Sequence, residues 1–213
     1  MAIPIKICGL STVEAVRVAV AGGASYVGFV FFAPSPRAVS PDMLAALCAP
    51  VPVGVSRVGL FVDASFDEIA AAVVTGCLDM LQLHGSESPG MVAQIKERFG
   101  LPVMKAIAIA SVDDIATAHL YEITADRLLF DAKPPAGATR PGGNALAFDW
   151  ALIAGQDWLL PWMLAGGINA GNLAEAVATS GATAVDVSSG VEDEPGLKNL
   201  EKIEQLLALA KTL

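Results

Sequence analysis

Cys8 closes a short apolar run, IKICGLS, with a lysine two positions before it and a glycine directly after it. In an extended strand, residues two apart share a face about 7 Å from one another, so Lys6 and Cys8 point the same way. A thiol in that position is either a small packing atom or a proton acceptor whose thiolate is favoured by the neighbouring ammonium and by the helix start that follows. Asp131 ends a second apolar run, DRLLFD. It reads either as a cap or salt-bridge partner, or as a buried carboxyl suited to donating a proton. Gln82 and His84 alternate in LQLHG, as do Asp186 and Ser188 in VDVSSG. His84 orients its loop by hydrogen bonding or takes part in proton transfer directly. Arg37, inside the proline-pinned APSPR, presents a planar fork that fits a carboxylate. The segments LAGGIN and DVSSGVE put Gly166, Gly167, Ser188, Ser189 and Gly190 just past two strand-like runs. Those glycines either permit tight turns or let backbone N–H groups approach a phosphate, with the two serines adding hydroxyls.

Such groups act together only if the fold gathers the ends of several strands. Eight apolar, strand-like runs alternate with alanine-rich helical patterns: IPIKIC, SYVGFVF, VSRVGLFV, LDMLQL, LPVMKAI, DRLLFD, WLLPWML and TAVDVS. Several helical stretches end in glycine, where a C-cap needs a left-handed residue. The 213 residues leave about 27 for each of eight units, the size of a strand and a helix. No Gly-x-Gly-x-x-Gly pattern follows the first strand and no run looks like an unpaired edge, so a single-domain (β/α)8 TIM barrel spanning residues 1–213 is expected. In such a barrel, chemistry collects at the C-terminal strand ends, where the polar residues stand. The longest irregular segment, residues 132–147, follows the sixth strand and reads as a functional lid.

Composition narrows the partners. A hydrophobic content of 54% and a mean hydropathy of +0.58 raise the question of a membrane span. The longest apolar stretch, WLLPWMLAGGI, is broken by proline and glycine and falls short of the roughly 20 residues a spanning helix needs. The N-terminus lacks the basic and apolar regions of a signal peptide, so a cytoplasmic location is expected. A formal net charge of −9 opposes binding to nucleic acid or an anionic membrane. An anionic substrate therefore requires a local binding device. Three cysteines without a CxxC spacing form neither a disulfide framework nor a zinc site, and no metal is expected.

The motifs KICGL, GFVFFAPSPR, QLHG, LLFDAKPP with RPGG and FDW, LAGGI and VDVSSGVE, in that order over nearly the whole chain, resemble the phosphoribosylanthranilate isomerases of tryptophan biosynthesis. The resemblance implies an Amadori rearrangement of N-(5-phosphoribosyl)anthranilate to 1-(2-carboxyphenylamino)-1-deoxyribulose 5-phosphate without any cofactor. It implies Cys8 as general base, Asp131 as general acid, and Arg37 beside the anthranilate group. Lys6, Gln82, His84 and Asp186 are expected around the substrate, and the glycines and serines of the last two strand ends around its phosphate. A phosphorylated small molecule is the expected partner, and the chain is expected to be a monomer or a homodimer. Three positions depart from the family pattern: Ala145 where glycine is usual, Ala170 where proline is frequent, and Asn199 where aspartate is usual. Another phosphosugar aldose-ketose isomerase, which typically uses two aspartates, and a noncatalytic phosphosugar-binding protein are the alternatives.

Overall fold

In the computed structural model, which describes residues 2–134, 137, 141–144 and 147–213, eight parallel strands close into a barrel in sequence order. They are β1 (Ile5–Cys8), β2 (Tyr26–Phe31), β3 (Ser56–Phe61), β4 (Met80–Leu83), β5 (Val103–Ile109), β6 (Arg127–Ala132), β7 (Trp162–Leu164) and β8 (Val185–Val187). Closure is made by β1 against β8, with Lys6 level with Asp186, and by β1 against β2, with Cys8 level with Gly28. The helices are α1 (Val13–Gly22), α2 (Leu44–Cys48), α3 (Phe66–Val73), α4 (Pro89–Phe99), α5 (Val112–His119), α6 (Leu173–Ser180) and α7 (Leu200–Ala210).

Helix boundaries follow side-chain chemistry. Ser65 and Glu68 form a reciprocal capping box at the start of α3, and Ser88 caps α4 directly before Pro89. Gly23 and Gly181 close α1 and α6 in the left-handed conformation. Asn199, where the family usually has aspartate, still caps α7 by accepting from the Lys202 amide at 2.9 Å.

Alternation along the strands separates two cores. Ile5, Ile7, Leu81, Leu83, Leu128 and Phe130 face the helices and join the main core. Their neighbours point into the barrel, where Met104, Ala106, Leu129, Met163, Ala165 and Ala184 fill the floor. Above that layer stand Cys8, Val30 and Leu60, flanked by Phe32 and Val62. Each fully buried large aliphatic or aromatic side chain in these layers contributes about 1.5–3 kcal/mol.

Two expectations change. The run WLLPWML supplies only the three residues of β7, because Pro161 has no N–H for the ladder and serves through its carbonyl, which accepts from Leu128. The sixth unit has a single 3-10 turn, Trp150–Leu152, in place of an α-helix among the described residues. Ala145 and part of the segment read as a lid lie outside the described residues. No described helix is long and apolar enough to cross a membrane.

One buried ion pair shapes the loop after β4. Lys105 is 2% exposed on the helix-facing side of β5 and donates to Glu87 at 2.8 Å, to the Gly85 carbonyl at 2.7 Å and to the Leu83 carbonyl at 3.3 Å. Glu87 in turn accepts from the Asp63 and Gly85 amides, and the Tyr121 hydroxyl donates to its carbonyl. Removing one charge strands the other in a dry layer. Lys105→Met should therefore lower stability by about 3–5 kcal/mol in urea unfolding. Adding Glu87→Gln, which keeps an acceptor for the two amides without the charge, should restore part of that loss. Simple additivity of the two changes would contradict the ion-pair account.

Candidate functional site

A cleft opens at the C-terminal end of the barrel, with Cys8, Asp131, His84 and Asp186 in its wall. The strand periodicity brings them together: each is an inward-pointing residue at or just beyond the end of β1, β6, β4 or β8. Arg37 packs beside Gly143 in the lining, which Gly166, Gly167, Ser188 and Ser189 also join.

Lys6 is fully buried beneath Cys8, with its ammonium 2.8 Å from the Asp186 carboxylate. Burial alone would pull the ammonium down, yet Asp186 and Cys8 hold Lys6 above the ordinary lysine range. Burial also governs Cys8, whose thiol is pushed above its ordinary value; Lys6 and Lys198 draw it down and Asp186 drives it further up. Lys6 does favour the thiolate, as expected, but burial outweighs it. The ammonium already serves Asp186, and its remaining field does not match the loss of water.

Across the cleft, Asp131 accepts from His84 Nε2 at 3.2 Å through Oδ2 and from the Ala132 amide at 2.8 Å through Oδ1. Gln82 Nε2 lies 3.1 Å from His84 Nδ1. With that amide donating, the ring proton stands on Nε2 and points at Asp131, so Gln82 sets the tautomer. Gln82 Oε1 is buried without a hydrogen-bond partner among the described residues. Gln82 itself is absent from the cleft wall and reaches the site through His84. Gly142 lies directly over this pair, since a Cβ there would come within 2.6 Å of Asp131 Oδ2.

Arg37 is placed differently from the sequence expectation. Its Nε and Nη2 donate to the two oxygens of Glu192 at 2.7 and 2.6 Å, so the fork assigned to a substrate carboxylate is closed on a protein carboxylate. The Nη1 side faces Gly143, where a Cβ would lie 2.6 Å away. Gly9, with φ +77°, makes room for this arginine: a Cβ there would meet Arg37 Cδ at 2.5 Å. Sequence reasoning missed Glu192 and its second partner, Lys198. The available signal was EDEPGLK, a Pro-Gly turn flanked by charged residues, which folds as the hairpin β9 (Glu192–Glu194) and β10 (Leu197–Lys198).

At the other end, Gly166 and Gly167 both take left-handed conformations. The side chains of Asn169 and Asn172 donate to the Gly167 carbonyl and close the turn around Ala170. After β8 the chain makes one 3-10 turn, Ser189–Val191. Gly190 is packed against the neighbouring loop, and a Cβ on it would fall 1.8 Å from the Ile168 carbonyl oxygen.

A carboxyl and a thiol thus face one cleft that has an arginine in its lining and a small-residue cradle. The family model of N-(5'-phosphoribosyl)anthranilate (PRA) isomerase matches residues 5–208. The chain belongs to this isomerase family. Its similarity to the N-(5'-phosphoribosyl)anthranilate isomerase of Rhodospirillum centenum is 52% identity over 214 residues, covering 100% of each chain. Against the same enzyme of Paramagnetospirillum magneticum it is 51% over 211 residues, 99% of this chain and 98% of the relative. Among solved structures, phosphoribosyl anthranilate isomerase from Thermotoga maritima superposes with a TM-score of 0.88 at 34% identity, covering 99% of this chain and 100% of that one. A family structure in complex with reduced 1-(o-carboxyphenylamino)-1-deoxyribulose 5-phosphate gives a TM-score of 0.85 at 33% identity over 99% of this chain and 100% of that one.

In this member of the isomerase family, Gly190 is a packing requirement as well as a candidate phosphate contact. Gly190→Ala should force the loops after β7 and β8 apart, losing about 1–3 kcal/mol of stability, the scale of overpacking, while KM rises. Thermal melts and steady-state kinetics read both effects. An unchanged melting temperature would contradict the close approach to Ile168.

Proposed function

We propose that this chain isomerises N-(5'-phosphoribosyl)anthranilate to 1-(2-carboxyphenylamino)-1-deoxyribulose 5-phosphate with Asp131 as general acid and Cys8 as general base. The observation that carries the assignment of roles is their placement: Asp131 and Cys8 reach one cleft from separate strands, between Arg37 and the Gly166–Gly167 cradle. The substrate's carboxylate lies toward Arg37 Nη1 and its phosphate toward Gly166, Gly167 and the Ser188–Gly190 segment. One catalytic domain over residues 1–213, a cytoplasmic location and a monomeric or homodimeric state belong to the same reading. For assembly, one relative, the Thermotoga maritima isomerase, is dimeric and has also yielded monomers.

The reaction starts when Asp131 delivers a proton to the ribose ring oxygen. The C1–O bond breaks, and the nitrogen lone pair forms a protonated Schiff base at C1. Its positive charge acidifies the C2–H bond and favours an anion on the nearby sulfur. Cys8 takes the C2 proton, leaving an enolamine. Protonation at C1 with loss of the C2 hydroxyl proton then gives the ketone. His84, held by Gln82, orients the Asp131 carboxyl through Nε2. Lys6 and Asp186 form a neutral pair beneath Cys8, so neither competes for the phosphate.

Cys8→Ser substitutes a hydroxyl that is far harder to ionise, and Asp131→Asn removes the proton donor while keeping its shape. Each should lower kcat by at least about 100-fold, the lower end of positioned acid or base catalysis, with circular dichroism unchanged. The loss of anthranilate-type fluorescence follows turnover. Near-native turnover by folded Cys8→Ser would remove Cys8 from the mechanism. Because burial raises the Cys8 thiol, its reactive anion grows with pH over the alkaline range. In the ligand-free wild type, alkylation of Cys8 by iodoacetamide, read at that residue by mass spectrometry, should therefore still be accelerating at about pH 8.5, the unperturbed thiol value. A plateau reached well below that pH would contradict the burial-raised thiol.

A further inference from the structure

The acid–base scheme makes no use of Glu192, although the site is built around it. Its side chain is 3% exposed. Oε1 accepts from Arg37 Nε and from Lys198 Nζ, each at 2.7 Å, and Oε2 accepts from Arg37 Nη2 at 2.6 Å. Lys198, also 3% exposed, continues to Ser188, donating to its carbonyl at 2.9 Å and to its hydroxyl at 3.3 Å. One carboxylate therefore connects the arginine after β2 with the residue that follows β8. The two cations hold Glu192 ionised against its burial, below the usual glutamate range.

The hairpin is shaped for this connection. Glu192 and Lys198 are register partners in β9 and β10. At its turn, Gly196 has φ +91° and lies so close to the Arg37 segment that a Cβ would come within 2.5 Å of the Pro36 carbonyl oxygen. The turn is thus seated on the residue before Arg37, while the strand pair brings both charges inward. A buried cation–carboxylate–cation chain is expensive to desolvate, so a catalytic loop gains from it mainly through fixed geometry.

We propose that Glu192 is a positioning residue that couples the two ends of the substrate site. It holds Arg37 by the Nε and Nη2 edge, leaving the Nη1 edge for the substrate carboxylate. Through Lys198 it also holds Ser188 in the conformation that receives the phosphate. The coupling rests on the assignment of carboxylate and phosphate ends made above. Glutamine at this position keeps the length of the side chain but sets an N–H donor where an oxygen accepts from Arg37 Nη2 and leaves the other oxygen, which accepts from both cations, without its charge, so the hold on each cation loosens.

Binding of anthranilate and of inorganic phosphate, measured separately by calorimetric titration, tests the coupling together with steady-state kinetics. Arg37→Ala should weaken anthranilate alone, and Lys198→Met should weaken phosphate alone. Glu192→Gln should weaken both probes by about tenfold or more, the scale of a hydrogen bond to a charged group. Its KM should rise by a similar factor while kcat falls by less than about threefold, because Cys8 and Asp131 stay in place. Folded Glu192→Gln that keeps wild-type affinity at either end would overturn the coupling. Should that variant fail to fold, Lys198→Met decides: undiminished phosphate affinity overturns the proposal, and a loss confined to phosphate supports it. Unaltered anthranilate binding in Arg37→Ala would overturn the assignment of the ends, and the coupling with it. If Arg37→Ala behaves as assigned and Glu192→Gln does not, the coupling alone falls.

Discussion

A closed parallel barrel and the helices and loops packed on it are dry inside, and every charge buried there needs a partner supplied by the fold. Lys6 meets this constraint through Asp186, Lys105 through Glu87, and Arg37 and Lys198 through Glu192. Cys8 has no such dedicated partner. It shares the field of Lys6 with Asp186, and desolvation therefore dominates its chemistry. The result is a base that is scarce in the empty site but holds a proton strongly once it takes one. A cationic Schiff base beside it supplies, at the required step, the positive charge that the resting site lacks.

The same constraint explains how a chain of net charge −9 receives a substrate with two anionic groups. Long-range attraction is unfavourable, so recognition depends on short-range devices. On the proposed reading, one end is met by an arginine whose fork is locked by Glu192, and the other by the turn of two consecutive left-handed glycines. Inward-facing pairs such as Lys6 with Asp186 contribute almost no net charge to the cleft. Lys198, locked to Glu192 and Ser188, is part of the frame around the proposed phosphate end.

The fold was legible because strand and helix periods differ and because the punctuation is chemical. Serine caps, glycine stops and eight apolar runs predict the barrel, and alternation places Lys6, Cys8, Gln82, His84, Asp131 and Asp186 on the inward face of their strands. What periodicity cannot report is competition between partners. Nothing in APSPR says that the Arg37 fork closes on a glutamate 155 positions away, nor does IKIC say that Asp186 claims the ammonium beside Cys8. Gly190 illustrates the same limit. Its small size reads in the sequence as room for a tight turn or for a ligand, whereas the nearest obstacle is a carbonyl of the adjoining loop. Long-range contacts of this kind arise only after the ring of strands has closed.

The central claim, that burial makes Cys8 a weakly populated but strong base, is tested most directly by titrating this one thiol. In a Cys48→Ala, Cys77→Ala background only Cys8 carries sulfur of this type, and the chemical shift of an isotope-labelled cysteine Cβ follows its ionisation. The account predicts a midpoint above the unperturbed thiol value of about 8.5 in the ligand-free enzyme. A midpoint near or below neutrality would contradict it, and would mean that Lys6 outweighs the loss of water after all.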